Sequence, residues 1–215
     1  MTSSADGLHA ERLAAQRGRA TLFSDLAFDV QAGAALVVTG PNGIGKTTLL
    51  RICAGLTAPA NGALRWRGRE YRPFDARLRR AIAFNGHLAA LKDELTPEEN
   101  LRAWIALDDR APAAGDVARA LDAVALSRQR HLPVRVLSQG QRRRVGLARL
   151  RLIRRPLWIL DEPLTALDVD GAAALGALLD AHLDTGGLCV AASHQALPIA
   201  GERARALALA PVPQA

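Results

Sequence analysis

Two stretches of this chain have residue types and spacing suited to phosphate chemistry. The first is Gly40-Pro41-Asn42-Gly43-Ile44-Gly45-Lys46-Thr47-Thr48, which fits the pattern GxxxxGK[ST]. Glycines at such positions let successive backbone N–H groups curl around a polyphosphate with no side chain in the way. A helix starting beneath adds its positive end. Lys46 would then reach the β- and γ-phosphates, and the Thr47 hydroxyl would take one coordination site of Mg2+. The second stretch is the apolar run 157–160 followed by Asp161-Glu162. Strand ends in an open parallel sheet are where ligands sit. Asp161 would hold the Mg2+, directly or through water, and Glu162 would polarise an attacking water. Alone, a carboxylate pair after an apolar run reads equally well as a helix cap at a strand exit. Its place downstream of a phosphate loop selects the catalytic reading.

The elements that must hold these groups can be read from hydrophobic period. Residues 35–39 (ALVVT) form a short continuous apolar run, the pattern of a strand buried on both faces. Residues 26–30 alternate, as a half-buried strand does, and run into a turn at Ala32-Gly33. A helix is expected over 48–54, with Gly55 ending it. Weaker strands are expected over 63–70 and 81–85. From Thr96 to about residue 130 the pattern is helical. Thr96-Pro97-Glu98-Glu99 supplies an N-cap, a Pro at the first helical position and a Glu for a capping box. Further helices are expected over 116–125, 141–153 and 171–184, strands over 157–160 and 188–193, and a loose tail over 211–215.

Composition excludes several classes. The chain has 215 residues, enough for one domain with a sizeable core. No apolar run approaches the ~18 residues that span a bilayer. Residues 1–20 carry Asp6, His9, Glu11, Arg12 and Arg17 where a signal peptide would have an apolar core, so a cytoplasmic protein is expected. Cys53 and Cys189 lack ligand spacing and sit in apolar surroundings, so they read as small buried hydrophobes. The net charge of +7 admits nucleic acid as a partner, but aromatics at 4% form no stacking ribbon to support it. Of 28 cationic residues only Lys46 and Lys92 are lysines. Where Arg is the default cation, a Lys marks a place for a compact point charge.

Leu137-Ser138-Gln139-Gly140-Gln141 resembles the signature loop LSGGQ of ATP-binding-cassette ATPases. The phosphate loop, this motif, Asp161-Glu162, Leu167-Asp168 and His194 follow that family's order and spacing, so the resemblance covers about residues 8–195. It implies an α/β fold of the P-loop NTPase type, with an antiparallel β edge and a helical subdomain inserted at about 88–155 within a single domain, 1–215. It implies ATP and Mg2+ as cofactors. It also implies a homodimer in which ATP lies between one chain's phosphate loop and the other's signature loop. Ser138, Gly140 and Gln141, at a helix N-terminus, would offer donors to the γ-phosphate. Asp168 would belong to the loop that crosses the dimer interface, and His194 would contact the γ-phosphate and hold the attacking water.

Three positions depart from the family pattern. Gln139 replaces the first central Gly of the signature loop. His87 stands where the family carries a Gln that senses Mg2+ and the membrane partner. Arg17 stands where an aromatic residue usually stacks on adenine; a guanidinium plane can do the same, with Phe23 as another choice.

Residues 40–50, 86–87, 90–96, 99–101, 141–150 and 157–167 further resemble the ATP-binding subunits of bacterial cytochrome c maturation systems. That resemblance implies integral-membrane subunits of a haem-delivery complex as partners. It places the chain peripherally at the cytoplasmic face of the inner membrane, driving haem export or release of a haem-loaded periplasmic chaperone. No CxxCH occurs, and His9, His87, His131, His182 and His194 form no axial pair, so no direct haem ligand is expected. A cassette serving another cargo keeps the same chemistry. A soluble cassette acting on nucleic acid usually brings a coiled coil, zinc modules or a tandem cassette, so no nucleic acid is expected. Arg142, Arg143 and Arg144 read as a solvated helix face or as contacts to nucleotide or the opposing chain. Arg77, Arg79 and Arg80 would face lipid headgroups or the membrane partner.

Overall fold

The computed structural model describes residues 7–86, 90–108 and 112–211. The chain runs β1 (Leu8–Arg17), β2 (Ala20–Val30), β3 (Ala35–Thr39), α1 (Lys46–Cys53), β4 (Asn61–Trp66), β5 (Arg69–Glu70), α2 (Ala76–Ala81) and β6 (Ile82–Asn85). It continues through α3 (Pro97–Ala106), α4 (Asp116–Asp122), a 3-10 turn (Val134–Val136), α5 (Gln139–Ile153), β7 (Leu157–Asp161), α6 (Val169–Asp184), β8 (Leu188–Ala192) and β9 (Ala204–Ala208). Helices α3, α4 and α5 thus fall between two strands that pair with each other, β6 and β7.

Two sheets organise these elements. One is parallel, in the order β6-β7-β8-β3-β9, and the other is antiparallel, in the order β2-β1-β4-β5. After β3 the chain leaves for the far edge of the parallel sheet and returns through β7 and β8. The C-terminal end of β3 therefore lies at a change of winding direction, the place where open α/β sheets bind ligands. Within β7, side chains alternate between two cores, as the pleat requires. Leu157 and Ile159 pack with α1 and the antiparallel sheet's Leu8, Leu13, Phe23 and Leu64. Trp158 and Leu160 pack with Leu101, Leu121, Leu147 and Leu179 from the helices. Every residue of β7 and β8 is buried, which is why both read as unbroken apolar runs.

Helix α3 starts as its sequence requires. The Thr96 hydroxyl accepts from Glu99 N at 3.2 Å, and the Glu99 carboxylate accepts from Thr96 N at 2.8 Å. Elsewhere the elements differ from the sequence expectation. β1 has no counterpart in it, and β2 starts at Ala20 rather than Leu26. Arg12, at φ 47°, bulges β1 between Ala10 and Leu13, which breaks the two-residue period of its apolar side chains. The strand expected over 63–70 is a hairpin: Arg67 and Gly68, both at positive φ, turn β4 back into β5. Helix α2 occupies 76–81, ahead of β6. β9, mostly exposed, forms by pairing with β3.

Cys53 and Cys189 are fully buried, and burial pushes both thiols up to about 12. At pH 8 the reactive thiolate is therefore on the order of 10⁻⁴ of each. The native chain is expected to be inert to a thiol-disulfide reagent at that pH, with both thiols reacting once denaturant unfolds it. A thiol that reacts in the native state as fast as free cysteine would contradict this burial.

Candidate functional site

The loop between β3 and α1 takes its shape from glycine. Gly40 has φ 138°, and a Cβ there would meet Leu209 O at 2.8 Å. Gly45 has φ 113° and backs onto the Leu22 side chain. Lys46 opens α1 and is only 8% exposed. Its ammonium donates to Gly40 O at 2.7 Å and Pro41 O at 3.1 Å, and lies 3.2 Å from His194 Nε2. The side chain is thereby folded into the concave face of the loop.

Thr47 Oγ1 donates to Asp161 Oδ2 at 3.0 Å, joining α1 to the end of β7. Beyond β8, His194 Nε2 lies 3.0 Å from Asn42 Oδ1 and 3.4 Å from Glu162 Oε1. One ring nitrogen thus sits among a donor, Lys46, and two acceptors, Asn42 and Glu162. Its protonation selects which of them it bonds. Glu162 itself has φ 49°, a left-handed conformation that is costly for a residue with a Cβ. Backbone contacts hold it there. Its N–H donates to Ala192 O at 2.9 Å, and its C=O accepts from Thr165 N at 3.1 Å and from the Arg143 guanidinium.

A cavity of 170 Å³ lies over the loop, walled by Gly43, Thr48, Asp161, Glu162 and Arg17 among others. The space in front of Gly43 is open: a Cβ there would meet nothing within 4 Å. Open concave backbone, a buried ammonium and a helix N-terminus fit a polyphosphate. A hydroxyl paired with a carboxylate fits Mg2+, which keeps few protein ligands and shares phosphate oxygens. Among the described residues no group of three or more His, Cys, Asp and Glu could hold a metal alone. A cation at Thr47 and Asp161 would complete its shell with phosphate oxygens and water.

The other expected site residues lie elsewhere. Ser138 caps α5: its hydroxyl accepts from Gln141 N at 3.2 Å, and Gln141 Oε1 accepts from Ser138 N at 2.9 Å. The Gln141 side chain is thus turned back onto its own helix cap. Gly140 packs against the next loop, where a Cβ would meet Ala166 O at 2.4 Å. Asp168 caps α6, accepting from Gly171 N at 2.9 Å, and its second oxygen accepts from Arg144 at 2.9 Å. None of these four residues lines the cavity. Arg17 does line it, with an exposed side chain. His87 lies outside the described residues.

The basic run at the start of α5 is not a solvated face, and none of its three residues lines the cavity over the phosphate loop. Arg142 pairs with Asp93 at 3.0 Å. Arg143 and Arg144 are buried, Arg144 reaching Asp168 and Arg143 reaching the backbone carbonyls of Asp161 and Glu162. The contacts of Arg143 escaped the sequence reading. A signal was present, because three consecutive helical residues point about 100° apart, so at least one of three must turn inward.

The fold and this site define a P-loop nucleotide-binding protein, and residues 23–165 match the ABC transporter family. The chain is 47% identical over 192 residues to the cytochrome c biogenesis ATP-binding export protein CcmA of Pseudomonas aeruginosa, covering 89% of this chain and 95% of that one. It is 44% identical over 195 residues to the protein of the same name from Cupriavidus pinatubonensis, covering 91% and 86%. An ATP-binding cassette dimer solved in a post-hydrolysis state with ADP and phosphate superposes with a TM-score of 0.77. It covers 87% of this chain and 88% of that one at 22% identity, a likeness of fold. The chain belongs to the ABC transporter family and, within it, to the group that these cytochrome c biogenesis ATP-binding export proteins form. It is an ABC-type ATPase, and ATP is its nucleotide.

Proposed function

We propose that this chain is the ATP-hydrolysing subunit of an ABC export complex in cytochrome c biogenesis. It powers haem export or the release of a haem-loaded chaperone on the far side of the membrane. The observation that carries the reading is the meeting of Lys46, Thr47, Asp161, Glu162 and His194 at the C-terminal ends of β3, β7 and β8.

In this reading Lys46 and the backbone N–H groups of residues 42–48 bind the β- and γ-phosphates. Thr47 and Asp161 would hold Mg2+, which when bound would supply positive charge to the phosphate oxygens. Glu162 takes the proton of the attacking water. His194 Nε2, beside both Glu162 and Lys46, orients that water against the γ-phosphate. Arg17 lays its guanidinium plane against the base. The donors at Ser138 and Gly140 serve the nucleotide of a second copy, since in their own chain they stand outside the cavity. Gly140 packs closely on Ala166, which brings that lid against the Asp168 loop. His87 would relay the state of this site to the membrane subunits.

Among the described residues no helix is long and apolar enough to cross a membrane. Attachment to the cytoplasmic face of the inner membrane would then come from integral-membrane subunits of the haem-delivery complex. A groove of 750 Å³ beside α2 and the end of α3 suits such a partner. Its wall combines exposed Leu56 and Leu107 with Arg79 and Arg80. Leu107 is 84% exposed, and with Leu56 it gives the groove an apolar surface that a partner would cover.

The test is complementation in a bacterium lacking its own ATP-binding subunit for cytochrome c biogenesis. The wild-type chain is expected to restore haem-stained c-type cytochromes and to appear in the membrane fraction. Leu107→Asp is expected to lose both while nucleotide affinity stays within about twofold. A wild-type chain that restores another export activity, and no c-type cytochrome, would overturn the cargo. Leu107→Asp behaving as wild type would overturn the docking groove.

A further inference from the structure

Helix α5 begins at the signature residues Ser138–Gln141, yet one of its side chains ends behind the catalytic strand. Among the described residues, the Arg143 guanidinium donates to backbone carbonyls on two different strand exits. Its Nη1 donates to Gly86 O at 3.1 Å, just beyond β6. Its Nη2 donates to Asp161 O and to Glu162 O at the end of β7. The residue is 7% exposed. Desolvation by that burial pulls the guanidinium below its ordinary pKa, against the attraction of the Asp161 and Glu162 charges. It stays far above neutral pH, so a full positive charge sits behind the two carboxylates.

Placement gives these contacts a consequence. Glu162 holds a left-handed backbone, φ 49°, that an L-residue adopts only when its surroundings impose it. Ala192 O holds its N–H, and Arg143 shares its C=O with the Thr165 N–H. Without the guanidinium, the Asp161 carbonyl loses that donor and the Glu162 carbonyl keeps the Thr165 N–H at 3.1 Å, so the peptide between residues 161 and 162 is held less firmly against rotation toward a less strained state. The Glu162 carboxylate would swing with it, away from His194 Nε2 at 3.4 Å. Lys46 and Thr47 hang from α1 and would not move. We propose that Arg143 is a positioning residue for hydrolysis: it fixes the Glu162 peptide, and so the carboxylate that receives the water's proton, in a geometry referenced to helix α5. The inference rests on the reading of Glu162 as that proton acceptor. It also makes the orientation of the acceptor depend on where α5 stands, so a shift of the signature helix is felt directly at the end of β7.

The full chain is compared with Arg143→Gln and Arg143→Lys, and with Glu162→Gln as the reference. Arg143→Gln is expected to lower kcat roughly 10- to 100-fold, the scale of misplacing a reacting group by about an ångström. KM for ATP and the affinity for Mg-ADP are expected to stay within about twofold. Arg143→Lys, which keeps the charge but not the fork, should fall between the two. Amide hydrogen exchange supplies a readout independent of turnover. Amides of 161–165 should exchange faster in Arg143→Gln, while those of α5 keep their protection. An unchanged kcat in Arg143→Gln overturns the inference, as does a loss of nucleotide affinity equal to the loss of kcat. Exchange that rises across α5 as much as across 161–165 overturns it too, because it marks general loosening. Full turnover in Glu162→Gln instead overturns the proton-acceptor reading beneath it, and leaves the tether itself to be judged by exchange.

Discussion

Glu162→Gln is expected to abolish turnover while leaving the chain folded and able to bind ATP. The substitution conserves shape, and the contacts that hold residue 162 in place are made by its backbone, to Ala192 O, Thr165 N and Arg143. What disappears is the capacity to accept a proton from water at 3.4 Å from His194 Nε2. Loss of a general base costs roughly 10²- to 10⁴-fold in rate. Binding moves the other way. One negative charge leaves the wall of a cavity that receives a polyanion, so affinity for ATP should hold or rise. With the exit by hydrolysis closed, the ATP-bound closed pair accumulates. Phosphate release, equilibrium nucleotide binding and sedimentation with and without ATP measure the three consequences. Turnover within about twofold of wild type would move the proton acceptor to His194, the other titratable group at that point.

What the sequence made legible follows from what fixes each feature. The phosphate loop was legible because its function is written in the backbone, where Gly40 and Gly45 are required by φ and by close neighbours. β3, β7 and β8 were legible because strands buried on both faces must be apolar throughout. The capping boxes at Thr96 and Ser138 were local enough to read, although only the first was recognised. Features set by long-range contact were not legible. The edge strand β9 carries no apolar pattern and exists because β3 offers an open side. The bulge at Arg12 hides the period of β1. The meeting of His194 with Asn42 spans most of the chain and needs the order of the sheet before it can be seen. In Arg142-Arg143-Arg144, sequence shows three equal charges, and only packing assigns one to an acidic partner, one to the strand exit and one to Asp168.

Lys46→Ala carries the second large effect, and it falls on binding. The ammonium is nearly buried and already donates to two loop carbonyls, Gly40 O and Pro41 O. A polyphosphate entering that concave face meets a charge held in place, with little side-chain entropy left to lose. Charge-assisted hydrogen bonds of this kind contribute ~1.5–3 kcal/mol each. Losing their net contribution should raise the dissociation constant for Mg-ATP by on the order of 10²-fold or more. Stability should fall less, because Lys46 itself lines an open cavity, and its truncation gives solvent a way to the two carbonyls. Lys46→Arg is the sharper arm. This chain uses arginine almost everywhere else, yet it places one of its two lysines here. A planar fork cannot occupy a seat shaped for a compact ammonium between Gly40 O and His194 Nε2, so arginine should fail nearly as badly as alanine. Titration of a fluorescent ATP analogue against the three proteins decides it. Wild-type affinity in Lys46→Ala would empty the loop of its role, and wild-type affinity in Lys46→Arg would show that charge alone matters and the shape of the seat does not.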